Sequence, residues 1–292
     1  MAPPDSSEQP KLTIWQRLAV REIRRQAGRR SGEPLCSEDW GAAYEASNGA
    51  VTRAMHWVWR ALPRSPRCCR CGAPFAGPGR FVVSPLGYRP SRKNPTICAT
   101  CVETSPPGGM KMYTGVLFAD LRGFTARTEG ADPEDVSKLL RRFYRCAEDV
   151  LFPEAIIDKL IGDEVMALYC PEVHKGIDRA EVPKLMLEHA RELLRSVGYG
   201  SEQEPFVEMG IGIDVGEAFV GNIGERALYD FTAIGDVVNT ASRLQGQAGG
   251  GEIMLSDRVE EGPPTGVGSR VELSLKGKTE QQVAYRVSSR GS

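Results

Sequence analysis

The chain predicts an α+β fold with a ferredoxin-like βαββαβ core, and three observations carry that expectation. From Tyr113 onward, apolar stretches of strand and helix period alternate in the order β-α-β-β-α-β, with additions. Before that point the chain has a different character: a helical stretch, then a compact Pro/Gly-rich stretch with two Cys-x-x-Cys pairs, then the break Thr104-Ser105-Pro106-Pro107-Gly108-Gly109. Charge divides at the same place. Residues 1–112 carry 17 basic and 8 acidic side chains and residues 113–292 carry 20 and 30, so the net −1 of the 292-residue chain hides +9 and −10. The expected organisation is a disordered tail at 1–10, a small helical N-terminal region at 11–66, a four-cysteine, zinc-ribbon-like segment at 67–104, a linker at 105–111 and the α+β domain at 112–288.

Each element has its own signal. Residues 11–30 place Leu12, Trp15, Leu18, Ala19 and Ile23 on one helix face and Arg17, Arg21, Arg24 and Arg25 on the other. A packing helix is the favoured reading, and peripheral contact with a membrane surface the less favoured one. Residues 39–62 read as a helix whose Trp40, Tyr44, Trp57 and Trp59 belong to a core. Residues 114–119 read as a buried strand. Asp132-Pro133 supplies an N-cap and a first helical position, and Leu139, Leu140, Phe143, Ala147, Val150 and Leu151 continue the helix period. Residues 155–160 and 165–169 form a hairpin around Ile161-Gly162-Asp163. A helix follows at 182–197, then strands at 207–214 and 218–223 joined at Val215-Gly216-Glu217, a short helix at 236–245, and late strands at 252–256, 271–275 and 283–287.

Composition narrows the classes. With 41% hydrophobic and 26% charged residues the chain is neither a long disordered polymer nor a fibre nor a strongly basic nucleic-acid coat. No window approaches the roughly 18 apolar residues of a membrane span, and the start Met-Ala-Pro-Pro-Asp lacks a secretory layout. A cytoplasmic protein is expected. The three histidines, His56, His174 and His189, stand in no metal or triad spacing.

The acids are more informative. Asp120 ends the first strand in Phe118-Ala119-Asp120-Leu121-Arg122-Gly123-Phe124-Thr125, and Asp163 sits at the hairpin tip. In this topology those strands are neighbours, so the two carboxylates converge at one end of the sheet. Two carboxylates with open positions suit a hard divalent cation that also holds phosphates. The run 121–125 then offers backbone N–H groups to phosphate. In Asp230-Phe231-Thr232-Ala233-Ile234-Gly235-Asp236-Val237-Val238-Asn239-Thr240-Ala241-Ser242-Arg243-Leu244, Asn239 and Arg243 are four apart and share a helix face. An amide and a guanidinium there suit a ribose and a charged phosphoryl group.

Together these segments resemble the class III nucleotidyl cyclase catalytic domain. Residues 118–125, 159–166 and 230–244 match in the family's order, and Leu275-Lys276-Gly277-Lys278-Thr279-Glu280 is similar to its late Lys-Gly-Lys hairpin. The resemblance implies that Asp120 and Asp163, with Leu121 beside the first, hold two Mg²⁺ or Mn²⁺ ions. It implies that Lys159 and Thr232 select the base, that Asn239 positions the ribose and that Arg243 stabilises the transition state. Gly123, Phe124, Thr125 and one of Lys276 and Lys278 would contact the phosphates. The implied reaction turns ATP into 3′,5′-cyclic AMP and pyrophosphate, at sites shared by a head-to-tail homodimer. Lys159 can donate to adenine N1 but not to the protonated N1 of guanine, and the Thr232 hydroxyl can accept from the adenine amino group. Many adenylate cyclases have Asp where this chain has Thr232, so relaxed base selectivity or guanylate cyclase activity is the alternative, beside a nucleotide-binding regulatory domain without turnover. Gly162-Asp163-Glu164-Val165 is also similar to a diguanylate cyclase signature, but the Asn239/Arg243 helix has no place in that family.

Cys68-x2-Cys71 and Cys98-x2-Cys101 are separated by 26 residues. Four thiolates in two such pairs suit a closed, structural zinc site. An iron–sulfur centre, and a redox pair or free thiols, are the alternatives. Cys69 complicates the first pair, though the x2 spacing favours Cys68, while Cys36, Cys146 and Cys170 read as packing residues. Arg70, Arg80, Arg89, Arg92 and Lys93 make the segment basic, but a cysteine-rich ribbon more often packs on a neighbouring domain, and no nucleic-acid partner is expected.

Overall fold

A computed structural model of the chain describes residues 21, 24–25, 27–30, 66–102, 108–174, 176–225, 228–259, 268–273 and 281–288. The expected tail at 1–10, the helix at 39–62, most of the helix at 11–30 and the hairpin bearing Lys276 and Lys278 lie outside these residues. The chain divides into two compact units, residues 112–218 with 234–292, and residues 1–111 with 219–233.

The larger unit is α+β, as the sequence predicts. Its elements are most of β1 (Gly108–Leu121), then α3 (Phe124–Thr128), α4 (Pro133–Leu151), β2 (Ile156–Ile161), β3 (Glu164–Tyr169), α5 (Val182–Val197), most of β4 (Met209–Glu225), α6 (Asp236–Gln247), β6 (Glu252–Ser256), β7 (Ser269–Leu273) and β8 (Gln282–Ser288). The strand order is β2-β3-β1-β4-β6-β8-β7. Its first four strands, joined through α4 and α5, have the ferredoxin-like order. β1 and β3 pair antiparallel with Asp120 opposite Glu164, and β4 pairs parallel with β6.

Side-chain alternation gives the sheet two different faces. Leu117, Ala119 and Leu121 of β1, Val165, Ala167 and Tyr169 of β3, and Ile211, Ile213 and Val215 of β4 point to one face. There they meet Phe143, Ala147 and Leu151 of α4 and Met186, Ala190, Leu193 and Leu194 of α5 in the main core. Asp132 caps α4 by accepting from the Glu134 N–H, with Pro133 at the first helical position, as the sequence indicates. Asp120, Gly212 and Asp214 fall on the other face, which α6 covers. Gly212 permits that packing: a Cβ there would lie 2.2 Å from Gln245 N and 2.3 Å from Ala241 O.

The smaller unit holds α1 (Gly77–Val83) and α2 (Ala99–Val102) of the cysteine-bearing segment, the far end of β4, and most of β5 (Leu228–Ile234), which pairs with β4.

Two expectations change. The linker does not extend through 108–111, because Gly108 opens β1. Gly109 is there for close packing rather than mobility, since a Cβ would lie 2.4 Å from Val220 O. The strands expected at 207–214 and 218–223 are one strand, because Gly216 keeps an extended backbone and no turn forms at 215–217. Residues 219–233, where β4 and β5 pair, group with the smaller compact unit. The strand β5 itself is an addition, in a stretch read from sequence only as a motif.

Gly212→Ala should push α6 off the sheet and cost about 1–3 kcal/mol, measured as a lower midpoint in urea unfolding with an unchanged slope.

Candidate functional site

Asp120, at the end of β1, is half-buried on the α6 side of the sheet. Its Oδ2 accepts from Gln245 Nε2 of α6 at 2.9 Å and from Arg122 Nη1 at 3.4 Å. Arg122 also donates to the Gln245 carbonyl, so one guanidinium ties the strand end to the helix end. Asp163 follows Gly162 in the β2–β3 turn, and its carbonyl accepts from the Leu121 N–H at 3.2 Å. The Tyr144 hydroxyl of α4 donates to the Gly162 carbonyl and holds the turn. Asp120 and Asp163 therefore come together, as the sequence predicts.

The electrostatics show what the acids lack. Burial raises the Asp120 carboxyl above its ordinary value, and the charge of Asp163 raises it further, against the pull of Gln245 and Arg122. Glu164 is raised by burial and then by Asp120 and Asp163. These clustered carboxyl groups offer hard oxygen donors that fit a divalent cation, whose charge would offset what raises Asp120 and Glu164. Glu164, Gln245 and Arg122 are absent from the sequence-derived site. Glu164 adjoins Asp163 in sequence, whereas nothing before folding marks Gln245 as a partner of Asp120.

The phosphate-facing run is shorter than expected. The Leu121 N–H is used by Asp163, and the Arg122 N–H donates to the Glu208 carbonyl at 2.8 Å. Gly123, Phe124 and Thr125 remain, where the chain turns into α3.

α6 presents two faces. Val237, Thr240, Ala241, Leu244 and Gln245 are buried, Asn239 is exposed and Arg243 half-exposed. At about 100° per residue, Arg243 stands roughly 200° around the helix from Gln245. The helix thus turns Gln245 toward Asp120 and carries Arg243 on its opposite side. Among the described residues, the side chains of Asn239 and Arg243 make no hydrogen bond or ion pair with Asp120 or Asp163.

A second network holds the start of α6. Asp214 is fully buried, accepts from Ser256 Oγ, from the Val215 N–H at 2.8 Å and from Arg258, and Arg258 also reaches Asp236 at 3.3 Å. Burial pushes the Asp214 carboxyl up to about 6, against the pull of Ser256 and Arg258.

The two base-selecting candidates lie in different units. Lys159 is half-buried on β2, beside an irregularity in the β2–β3 register between Ile157 and Lys159. Thr232 is buried on β5.

The four cysteines of the two pairs converge. The sulfurs of Cys68, Cys71, Cys98 and Cys101 all lie within 4.8 Å of one another, and the group can hold a metal ion. Cys68 to Cys101 is 4.0 Å and Cys71 to Cys98 is 3.6 Å, and all four are free thiols. The Cys68 sulfur also accepts from the N–H groups of Cys71 and Cys98. Hydrogen bonds from Cys101, Cys71 and Cys98 hold the Cys68 thiol well below its ordinary range. Cys69 stands outside the cluster with its thiol pushed up to about 12 by burial, which resolves the ambiguity in favour of Cys68. Cys170 is a fully buried packing residue.

Comparison with known proteins places the chain in a family. The sequence profile described as the adenylate and guanylate cyclase catalytic domain matches residues 111–288. The chain belongs to this family, the class III adenylate and guanylate cyclases. Among curated relatives, an adenylate cyclase of Anabaena cylindrica is 33% identical over 135 residues, 45% of this chain and 26% of the relative. A terminal-differentiation-specific adenylate cyclase of Dictyostelium discoideum is 29% identical over 150 residues, 48% of this chain and 7% of the relative. The chain thus spans about a quarter or less of the length of these relatives. Among solved structures, the guanylyl cyclase Cya2 is 30% identical with a TM-score of 0.54, over 62% of this chain and 93% of that one. The catalytic core of a rhodopsin-guanylyl cyclase, at 22% identity and TM-score 0.51, shares the fold over 62% of this chain and 98% of that one. Among the described residues no helix is long and apolar enough to cross a membrane.

Arg258→Ala should remove the ion-pair partner of the buried Asp214 carboxylate, leaving it only Ser256 Oγ and the Val215 N–H, and cost about 2 kcal/mol near pH 8, discounted for the partial exposure of Arg258. The group's pKa is raised, so its contribution to stability is full in acid and is lost as pH rises through about 6. The loss in the variant should therefore shrink at pH 5, where the carboxyl is protonated, as read from urea unfolding at both pH values.

Proposed function

We propose that the chain is an adenylate cyclase that converts ATP to 3′,5′-cyclic AMP and pyrophosphate at sites shared between two copies. The observation that carries this reading is the placement of the two residue sets. The acids stand at the end of β1 and in the β2–β3 turn, while Arg243 lies on the opposite side of α6 from Gln245, the residue that reaches Asp120, and Asn239 stands about 120° around the helix from Gln245. One chain carries both sets but aims them apart, so a two-fold pair of chains would complete two equivalent sites.

In that site Asp120 and Asp163, helped by Glu164, bind the divalent cations. Bound there, such cations lower the pKa of the ribose 3′-hydroxyl and neutralise the triphosphate. The 3′-oxygen attacks the α-phosphorus and pyrophosphate leaves. Asn239 of the second chain orients the ribose, and its Arg243 donates to the charge developing on the transferred phosphoryl group. Gly123, Phe124 and Thr125 lie along the phosphates, and Lys276 or Lys278 holds their far end. Lys159 donates to adenine N1 and Thr232 accepts from the amino group. A second reading, turnover of GTP, is favoured by the likeness to Cya2 and by a hydroxyl, rather than a carboxylate, at Thr232.

The four-cysteine group is a structural zinc site. A tetrahedral ion with bonds of about 2.3 Å sets its sulfurs about 3.8 Å apart, close to the 3.6 and 4.0 Å found. A multi-iron cluster distributes its thiolates over separate irons and needs a wider set. Metal analysis should find one zinc per chain, and Cys98→Ser should lose it.

The deciding experiment is turnover with ATP and GTP under Mg²⁺ and Mn²⁺. Asp120→Ala should abolish cyclic AMP formation, and Arg243→Ala should lower it about 10²–10³-fold. Equal mixing of the two inactive variants should restore about one quarter of wild-type activity, because half the dimers then contain one intact site. No recovery on mixing would rule out the shared site, and bound ATP without cyclic product would rule out the reaction.

A further inference from the structure

The smaller unit contains both the four-cysteine segment and the strand that bears Thr232, and one lysine joins them. Lys93 lies in the loop between the two cysteine pairs. Its Nζ donates to Asp230 Oδ2 at 2.9 Å and to the Phe231 carbonyl at 2.8 Å. The Lys93 side chain is 16% exposed, unlike an ordinary surface lysine. A freely exposed ion pair contributes little. Two bonds from one largely covered ammonium to consecutive residues, one to the exposed Asp230 carboxylate and one to backbone, instead fix where the strand runs. The next residue is Thr232.

The loop that presents Lys93 is itself tied to the cysteines. Lys93 N–H donates to Ser91 Oγ, Ser91 N–H to the Ile97 carbonyl at 2.8 Å, and Ile97 N–H to the Asn94 carbonyl at 3.1 Å. The Asn94 side chain accepts from the Thr96 N–H at 2.7 Å, and the Cys69 N–H donates to the Thr96 carbonyl at 2.8 Å. The turn thus ends against Cys98 on one side and the first cysteine pair on the other. A metal bound by all four thiolates closes this loop and restrains it. A second link joins the segment to β4, where Asn222 Nδ2 donates to the Val102 carbonyl at 3.4 Å.

We propose that Lys93 is a positioning residue for base selection: the metal-loaded cysteine site holds the 91–97 turn, and Lys93 transmits that restraint to β5, fixing Thr232 against the base. The four-cysteine site then sets nucleotide preference as well as stability. This inference rests on the assignment of Thr232 as a base-facing residue.

The test uses the full chain, with hydrogen exchange across residues 228–234 and steady-state kinetics with ATP and GTP. Lys93→Met keeps the apolar stem and removes both bonds. It should retain its zinc, speed amide exchange in β5 about tenfold, raise KM for ATP about fivefold and lower the ATP-to-GTP preference, with kcat within about twofold. Lys93→Arg, which can still donate to both oxygens, should recover most of the change. Cys98→Ser should lose the metal and reproduce the Lys93→Met pattern, and the double variant should be little worse than either alone. Unchanged exchange in β5 on Lys93→Met would overturn the proposal, as would a fall in kcat at constant KM or the absence of metal from the wild-type chain. If Thr232→Ala leaves the ATP-to-GTP preference unchanged, the base-facing assignment fails, and exchange in β5 still decides whether Lys93 restrains the strand.

Discussion

The hydrogen bond from Gln245 to Asp120, braced by Arg122, sets the relation between the two chemical halves of the site. It joins the last turn of α6 to the end of β1 and so fixes how the helix is rolled on the sheet. Once Gln245 faces Asp120, helical periodicity requires Arg243 to face away. Burial and the nearby Asp163 charge raise the Asp120 carboxyl, and the bonds from Gln245 and Arg122 only partly offset that rise. Helix orientation and the separation of the two residue sets follow from one contact.

That contact needs close packing behind it. α6 can lie low on the sheet because Gly212 offers no Cβ under Ala241 and Gln245. At its other end, Asp214 and Arg258 anchor Asp236. A buried carboxylate with several donors is expensive to assemble, but it admits few alternative arrangements, which suits a helix whose two faces have different tasks.

The smaller unit shows the same economy of contacts. Four sulfurs within 4.8 Å draw two distant stretches of chain together, and the loop between them delivers Lys93 to Asp230 and Phe231. The loop between the cysteine pairs thus ends on a strand that carries a proposed specificity residue.

Much of this was legible before folding, for physical reasons. Strand and helix periods placed the βαββαβ order, because burial on one face imposes the pattern. Asp132-Pro133 marked the start of α4, because a cap and a fixed φ act locally. The spacing of Asn239 and Arg243 placed them on one helix face, and the two Cys-x-x-Cys pairs marked a thiolate cluster. Other features depend on contacts between residues far apart in sequence and had no local signature. Gly216 resembles a turn but lies within one continuous β4, Met209–Glu225. Gly108 and Gly109 resemble a linker but pack against β4. Gln245 became a partner of Asp120, and Lys93 a partner of β5, only when the chain closed over more than a hundred residues. The sequence determined the inventory of chemical groups and their local geometry. Tertiary structure alone decided which groups meet, because packing between distant segments sets those distances and local periodicity does not.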